Sequence, residues 1–141
     1  MEIKFRELNS LMEGTDVLYH RAAKSLGISD AELYIYYSLL ERGGACPQRD
    51  LYKETGISRS TVNSAVKRME KDGCLRINAI DGRSTRAELT PEGSRRAMKT
   101  AGRIIEIENA IYESFPVEDI RKMIELNRIF MERFAAEVKK L

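Results

Sequence analysis

The sequence predicts a mostly helical fold with one small β-hairpin, in class terms α+β, and three observations predict it. Apolar residues recur at helical spacing along most of the 141-residue chain. Helix-capping residues and glycines (Ser29, Gly43, Ser58, Gly73, Thr90) punctuate that pattern. Between Cys74 and Leu89 the period changes to short runs on either side of an Asp81-Gly82-Arg83-Ser84 turn.

Each element follows in order. Phe5, Leu8, Leu11, Met12, Leu18, Ala22 and Leu26 share a helical spacing, predicting a helix from Ile3 to about Leu26 that Gly27 ends. Ser29 and Glu32 form a capping box, and Ile28 and Leu33 occupy the positions of a hydrophobic staple. The helix they start, Asp30 to Glu41, is apolar almost all round and must be buried on several sides. Gly43-Gly44 stops it.

Two short helices with a tight joint come next. Pro47 suits the first position of a helix over Gln48 to Glu54, with Cys46 as its N-cap and Leu51 facing inward. Thr55-Gly56-Ile57 reads as a turn, in which Gly56 is free to adopt positive φ. Ser58 caps the second helix, whose Val62, Ala65, Val66 and Met69 make one core-facing stripe before Gly73 closes it. Helix, turn and helix in this order is a helix-turn-helix. The hairpin that follows, Cys74–Ile77 with Thr85–Leu89, is then a wing. Thr90 and Pro91 open a single long helix that carries Ala97, Ala101, Ile104, Ile105, Ile111 and Phe115 until Pro116 breaks it. A last helix runs to the C-terminus.

Composition narrows the function. The chain is 43% hydrophobic with only 3 Pro and 9 Gly, which excludes a disordered protein. Its longest apolar run, Leu33 to Tyr37, is far too short to span a membrane, and the charged N-terminus lacks a signal peptide's apolar region. A cytoplasmic protein with no membrane partner is expected. Cys46 and Cys74 form no CxxC pair, so neither a disulfide framework nor a metal site is expected. No Gly-rich phosphate loop or Ser/His/Asp arrangement points to an enzyme or a cofactor. His20, the single histidine, has no catalytic partners in its segment and is read as structural.

Net charge is only +2, yet residues 45–100 hold twelve Lys/Arg against seven Asp/Glu, while the rest of the chain is net acidic. A basic centre fits a polyanion. The face of the second short helix opposite its core stripe presents Arg59, Ser60, Thr61, Asn63, Ser64, Lys67, Arg68 and Lys71, beginning at Ser58. Arg grips guanine in bidentate fashion, Asn does the same for adenine, and Ser or Thr reach bases and phosphates. Double-stranded DNA is therefore the expected partner, with this helix in the major groove. Arg83 and Arg86 add charge on the wing. A winged helix used for protein–protein docking is the alternative, disfavoured because docking surfaces are depleted of charge at their centre.

Leu51 through Gly73, the Asp81-Gly82-Arg83-Ser84 tip and Leu89-Thr90-Pro91-Glu92-Gly93 together resemble the MarR-type winged-helix transcription regulators. The resemblance covers nearly the whole chain. It implies a homodimer on a pseudo-palindromic operator, acting by repression, with a winged helix-turn-helix lobe over about residues 30–100. Residues 1–28 and 101–141 would be the dimerisation helices. The roles of a minor-groove arginine and of the aspartate that holds it fall on Arg83 and Asp81. Two positions depart from the family's habit: Ser64 and Ile77 stand where many members have Arg.

The resemblance further implies a small aromatic anion as effector, in a pocket for which Met12, Tyr34, Tyr36 and Tyr37 are the candidates. Some relatives sense oxidants through cysteine. Cys46 at a helix N-cap would have a lowered pKa, whereas Cys74 beside Leu75 reads as buried and inert. Phe5 and Leu8 at one end, with Phe130, Phe134, Val138 and Leu141 at the other, are more apolar residues than one small lobe covers, which predicts a dimer interface.

Overall fold

A computed structural model describes residues 1–53 and 56–141, so Glu54 and Thr55, placed above in the short helix and its turn, lie outside the described residues. The chain divides into two compact units, Met1–Ile105 and Glu106–Leu141. In order, the elements are α1 (Arg6–Ser25), α2 (Asp30–Glu41), β1 (Ala45–Pro47), a 3₁₀ turn (Gln48–Tyr52), α3 (Arg59–Lys71), β2 (Leu75–Ala79), β3 (Thr85–Leu89), α4 (Pro91–Lys99), α5 (Ala101–Glu113) and α6 (Val117–Val138).

Local chemistry explains the boundaries. At the start of α2 the Ser29 hydroxyl accepts the Glu32 N–H, and the Glu32 carboxylate accepts the Ser29 N–H in return. Gly43 and Gly44, at φ 72° and 97°, close the helix in a backbone conformation that side chains rarely adopt. The Ser58 hydroxyl accepts the Thr61 N–H and starts α3, and Gly73 at φ 74° ends it. The predicted stripe Val62, Ala65, Val66 and Met69 is buried, as are Ile35, Tyr36 and Leu39 of α2. These residues, with Leu51, Cys46, Cys74, Leu75 and Ala87, make one core within the first unit.

Three expectations are corrected. The expected wing hairpin, β2 with β3, is present but not complete by itself: a third strand makes it an antiparallel sheet of order β1-β3-β2. The missed strand pairs Ala45 with Glu88, Cys46 with Ala87 and Pro47 with Arg86. A three-residue strand gives no alternation to read, and Pro47, lacking an N–H, is tolerated because β1 lies at the sheet edge.

It follows that Cys46 is a buried strand residue and not a helix N-cap; Pro47 precedes the 3₁₀ turn instead. The third correction concerns the long helix after Thr90, which is two helices broken at Thr100 (φ −119°, ψ −89°). The Thr100 hydroxyl donates to the Arg96 carbonyl at 2.7 Å, the back-bonding that bends helices.

Beyond Ile105, the second unit holds the last turns of α5 and the whole of α6. Ile120 is buried, and Phe130 and Phe134 stack with ring centroids 5.8 Å apart. No helix among the described residues is long and apolar enough to cross a membrane.

Candidate nucleic-acid interface

The interface is built on α3. Because Val62, Ala65, Val66 and Met69 face the core, the helix period turns Arg59, Ser60, Thr61, Ser64, Lys67 and Lys71 outward, and all six are exposed. Ser58 is spent on capping, its hydroxyl also lying 2.7 Å from that of Thr61. Arg68 turns toward α2 and lies 3.5 Å from Glu32, the same carboxylate that completes the capping box. Its charge is shared with the lobe's own structure.

Asn63 is only half-exposed, because it belongs to a chain of hydrogen bonds that the sequence pattern does not reveal. The Tyr52 hydroxyl donates to Asn63 Oδ1 at 3.2 Å. Gln48 Nε2 donates to that hydroxyl at 2.9 Å, and the Thr85 hydroxyl donates to Gln48 Oε1 at 2.6 Å. The guanidinium of Arg59 sits 4.8 Å from the centre of the Tyr52 ring, a cation–π contact.

At the wing tip, Asp81 Oδ1 accepts the backbone N–H groups of Arg83 and Ser84, at 2.8 and 2.9 Å. These bonds hold its carboxyl below the ordinary aspartate range. Asp81 therefore orders the turn through its backbone, and that turn carries Arg83 exposed at its apex. Arg86, on β3 opposite Asn78, is exposed as well.

Wing and helix face each other across a groove of about 580 Å³ lined by Pro47, Gln48, Arg49, Tyr52 and Arg59 on one side and Ile80, Asp81, Arg83, Ser84 and Thr85 on the other. Arg49, Gln48, Tyr52 and Thr85 were not among the residues expected at the site. They sit on a 3₁₀ turn and a strand end, where neither periodicity nor capping marks which side chain faces a ligand.

A second groove, of about 560 Å³, lies between α1 and α2. Tyr34 and Tyr37 line it, together with Asp16, Tyr19, His20, Asp30 and Leu33. Two of the four expected pocket residues do not: Tyr36 is fully buried in the core, and Met12 is exposed on α1 outside this groove. Burial and a hydrogen bond to Cys74 push the Tyr36 hydroxyl well above its ordinary pKa. His20 Nδ1 lies 2.9 Å from Asp30. The Tyr34 hydroxyl donates to the Lys53 carbonyl at 2.9 Å, which ties this groove to the end of the 3₁₀ turn.

Both cysteines are buried and free. Burial pushes the Cys46 thiol up, opposite to the lowering expected of an N-cap position. Cys74 Sγ lies 3.7 Å from the Arg96 guanidinium. Of the residues expected at a dimer interface, Phe5, Phe134, Val138 and Leu141 are exposed, while Leu8 and Phe130 are half-buried.

A core-anchored second helix beside a basic wing tip defines the winged helix-turn-helix class of folds. Within that class the fold is the MarR winged-helix fold, and residues 26–84 match the model of the MarR family. No curated protein matches the chain. Among solved structures it is similar to a Listeria monocytogenes protein assigned to the MarR family and solved with 26mer DNA. Identity is 20%, over 97% of this chain and 92% of that one, with a TM-score of 0.71.

Two further structures contain small molecules. NadR in complex with 4-hydroxyphenylacetate is 23% identical over 93% of this chain and 92% of that one, at TM-score 0.69. The PcaV transcriptional regulator from Streptomyces coelicolor, with its natural ligand, is 18% identical over 94% and 97%, at TM-score 0.65.

Proposed function

We propose that this chain is a sequence-specific transcriptional regulator that binds a pseudo-palindromic operator as a homodimer and represses by occupying it. The observation that carries this reading is the groove in which Arg59 of the recognition helix, Arg49 of the 3₁₀ turn and Arg83 of the wing face one cleft. Three guanidinium groups around a cleft fit a phosphate backbone, with α3 in the major groove and Arg83 reaching a narrow, electronegative minor groove. In this reading residues 1–28 and 101–141 supply the dimer contacts, and no catalytic role is assigned.

A mobility-shift titration with competitor DNA tests it. Selection from random duplexes should return an inverted repeat whose complex resists a large excess of unrelated DNA. Equal competition by any duplex, or no shift at all, favours the protein-docking reading instead.

The groove between α1 and α2 is the proposed effector site. The carboxylates of Asp16 and Asp30 line it with the rings of Tyr34 and Tyr37. Like charges would repel an aromatic acid, so a neutral or cationic aromatic fits better than the expected anion. Thermal shifts with matched aromatic amines and aromatic acids separate the two.

A further inference from the structure

The hydrogen bonds from the wing to α3 form one directed chain, from the Thr85 hydroxyl to Asn63. Gln48 Oε1 can only accept, so its bond from Thr85 fixes which end of the Gln48 amide faces the wing. The other end, Nε2, can only donate, and it donates to the Tyr52 oxygen. The Tyr52 proton is thereby left to point at an acceptor, and the acceptor in reach is Asn63 Oδ1. The amide of Asn63 is then oriented with its oxygen held by protein, while its NH₂ group has no hydrogen-bond partner among the described residues.

We propose that Tyr52 is a positioning residue for base recognition, through which Thr85 of the wing sets the orientation of the Asn63 amide on the recognition helix. This rests on the DNA-binding reading above. An Asn that grips adenine in bidentate fashion must accept from the adenine amino group with Oδ1 and donate to N7 with Nδ2. Here Tyr52 takes one of the two lone pairs of Oδ1, so that oxygen is a poorer acceptor for the adenine amino group. The NH₂ group favours a base edge rich in acceptors, and in the major groove that is guanine, with N7 and O6 side by side. The same tyrosine holds the Arg59 guanidinium over its ring face, so one side chain orders both Asn63 and Arg59 on α3.

Three variants test this by selection from random DNA, read as base preference at the pair that Asn63→Ala relaxes. Tyr52→Phe keeps the ring under Arg59 and removes only the hydroxyl. It should shift that pair away from guanine and toward adenine, by about tenfold, while preferences elsewhere and the salt dependence stay as in the parent. Thr85→Val, an exposed and nearly isosteric change at the far end of the chain, should move the same pair in the same direction. In an Asn63→Ala background neither change should have any further effect there.

The proposal is overturned if Tyr52→Phe and Thr85→Val leave that pair unchanged, or if they alter it equally when Asn63 is absent. A parent protein that selects no sequence at all would overturn the DNA-binding reading itself, a result distinct from either.

Discussion

At the scale of single residues, Asp81 and Arg83 would divide the work of the wing in DNA binding. Arg83→Ala should weaken binding to every operator by about tenfold or more while leaving the selected sequence unchanged, because a minor-groove arginine reads width and charge. Asp81→Ala should give a smaller loss of the same kind. The Asp81 carboxyl, held low by the Arg83 and Ser84 amides, also fixes a pH dependence. A depressed folded pKa means that its contribution is complete above the ordinary value of about 3.9 and is lost as pH falls through the folded value. The Arg83 and Ser84 amide resonances should therefore titrate with a midpoint below about 3.9 and be flat from pH 5 to 8. A midpoint at or above the ordinary value would remove the proposed bond.

Cys46 gives a further residue-level test. Its buried thiol, pushed up in pKa by that burial, should alkylate far more slowly at neutral pH in the folded protein than after denaturation. Rapid modification of the native chain would restore the sensing role that an N-cap position had suggested.

At the scale of elements, the sequence foretold the starts that side chains cap. The bounds of α2 and the start of α3 are set by Ser29, Glu32 and Ser58, whose side chains act on the nearest backbone amides and so are visible in a local reading. What escaped depends either on a partner distant in the chain or on a local competition that periodicity does not register. β1 exists because Ala45–Pro47 meets β3, and the break at Thr100 follows from a hydroxyl that competes for a helix carbonyl. The site divides in the same way: the exposed face of α3 followed from periodicity, whereas Tyr52 is significant only because the fold brings Asn63, Gln48 and Thr85 around it.

Gly93 shows how an element boundary can demand one residue type. The Thr90 hydroxyl donates to the Gly73 carbonyl while accepting the Gly93 N–H, which presses the start of α4 against the start of β2. A Cβ on Gly93 would lie 1.8 Å from the Cys74 carbonyl oxygen, so backbone would have to move. Gly93→Ala should cost about 1–3 kcal/mol or more in urea unfolding. Gly102→Ala meets nothing closer than 3.4 Å and should be neutral or up to about 1 kcal/mol stabilising. Equal effects of the two would contradict this account of the α4 junction.

For the whole molecule, the expected dimer and the expected polyanion each leave a measurable trace. α1 exposes Leu11, Met12 and Leu18, and α6 exposes Met123, Leu126, Met131 and Phe134, more apolar surface than a soluble monomer ordinarily leaves in water. Light scattering at micromolar concentration should give twice the 16.1 kDa chain mass; a species of 16.1 kDa would refute the dimer. Operator affinity should fall with a log–log salt slope of about −0.9 per phosphate contacted, with Arg49, Arg59, Lys67, Lys71, Arg83 and Arg86 as the contributing charges. Arg49→Ala should make that slope shallower by about one contact per protomer.

The placement of β3 between its two neighbours also orders the events of folding. β2 and β3 are joined by a short turn and can zip together as soon as both exist, whereas β1 meets β3 only after the 3₁₀ turn, α3 and β2 have been enclosed between them. Closing that longer loop is the entropically costly step, so β1 is expected to dock late. On a ribosome, the recognition helix would emerge well before the strand that completes its sheet. The lobe cannot seal until Leu89 is free of the exit tunnel, and from then on helix and wing are committed to fold as one cooperative unit.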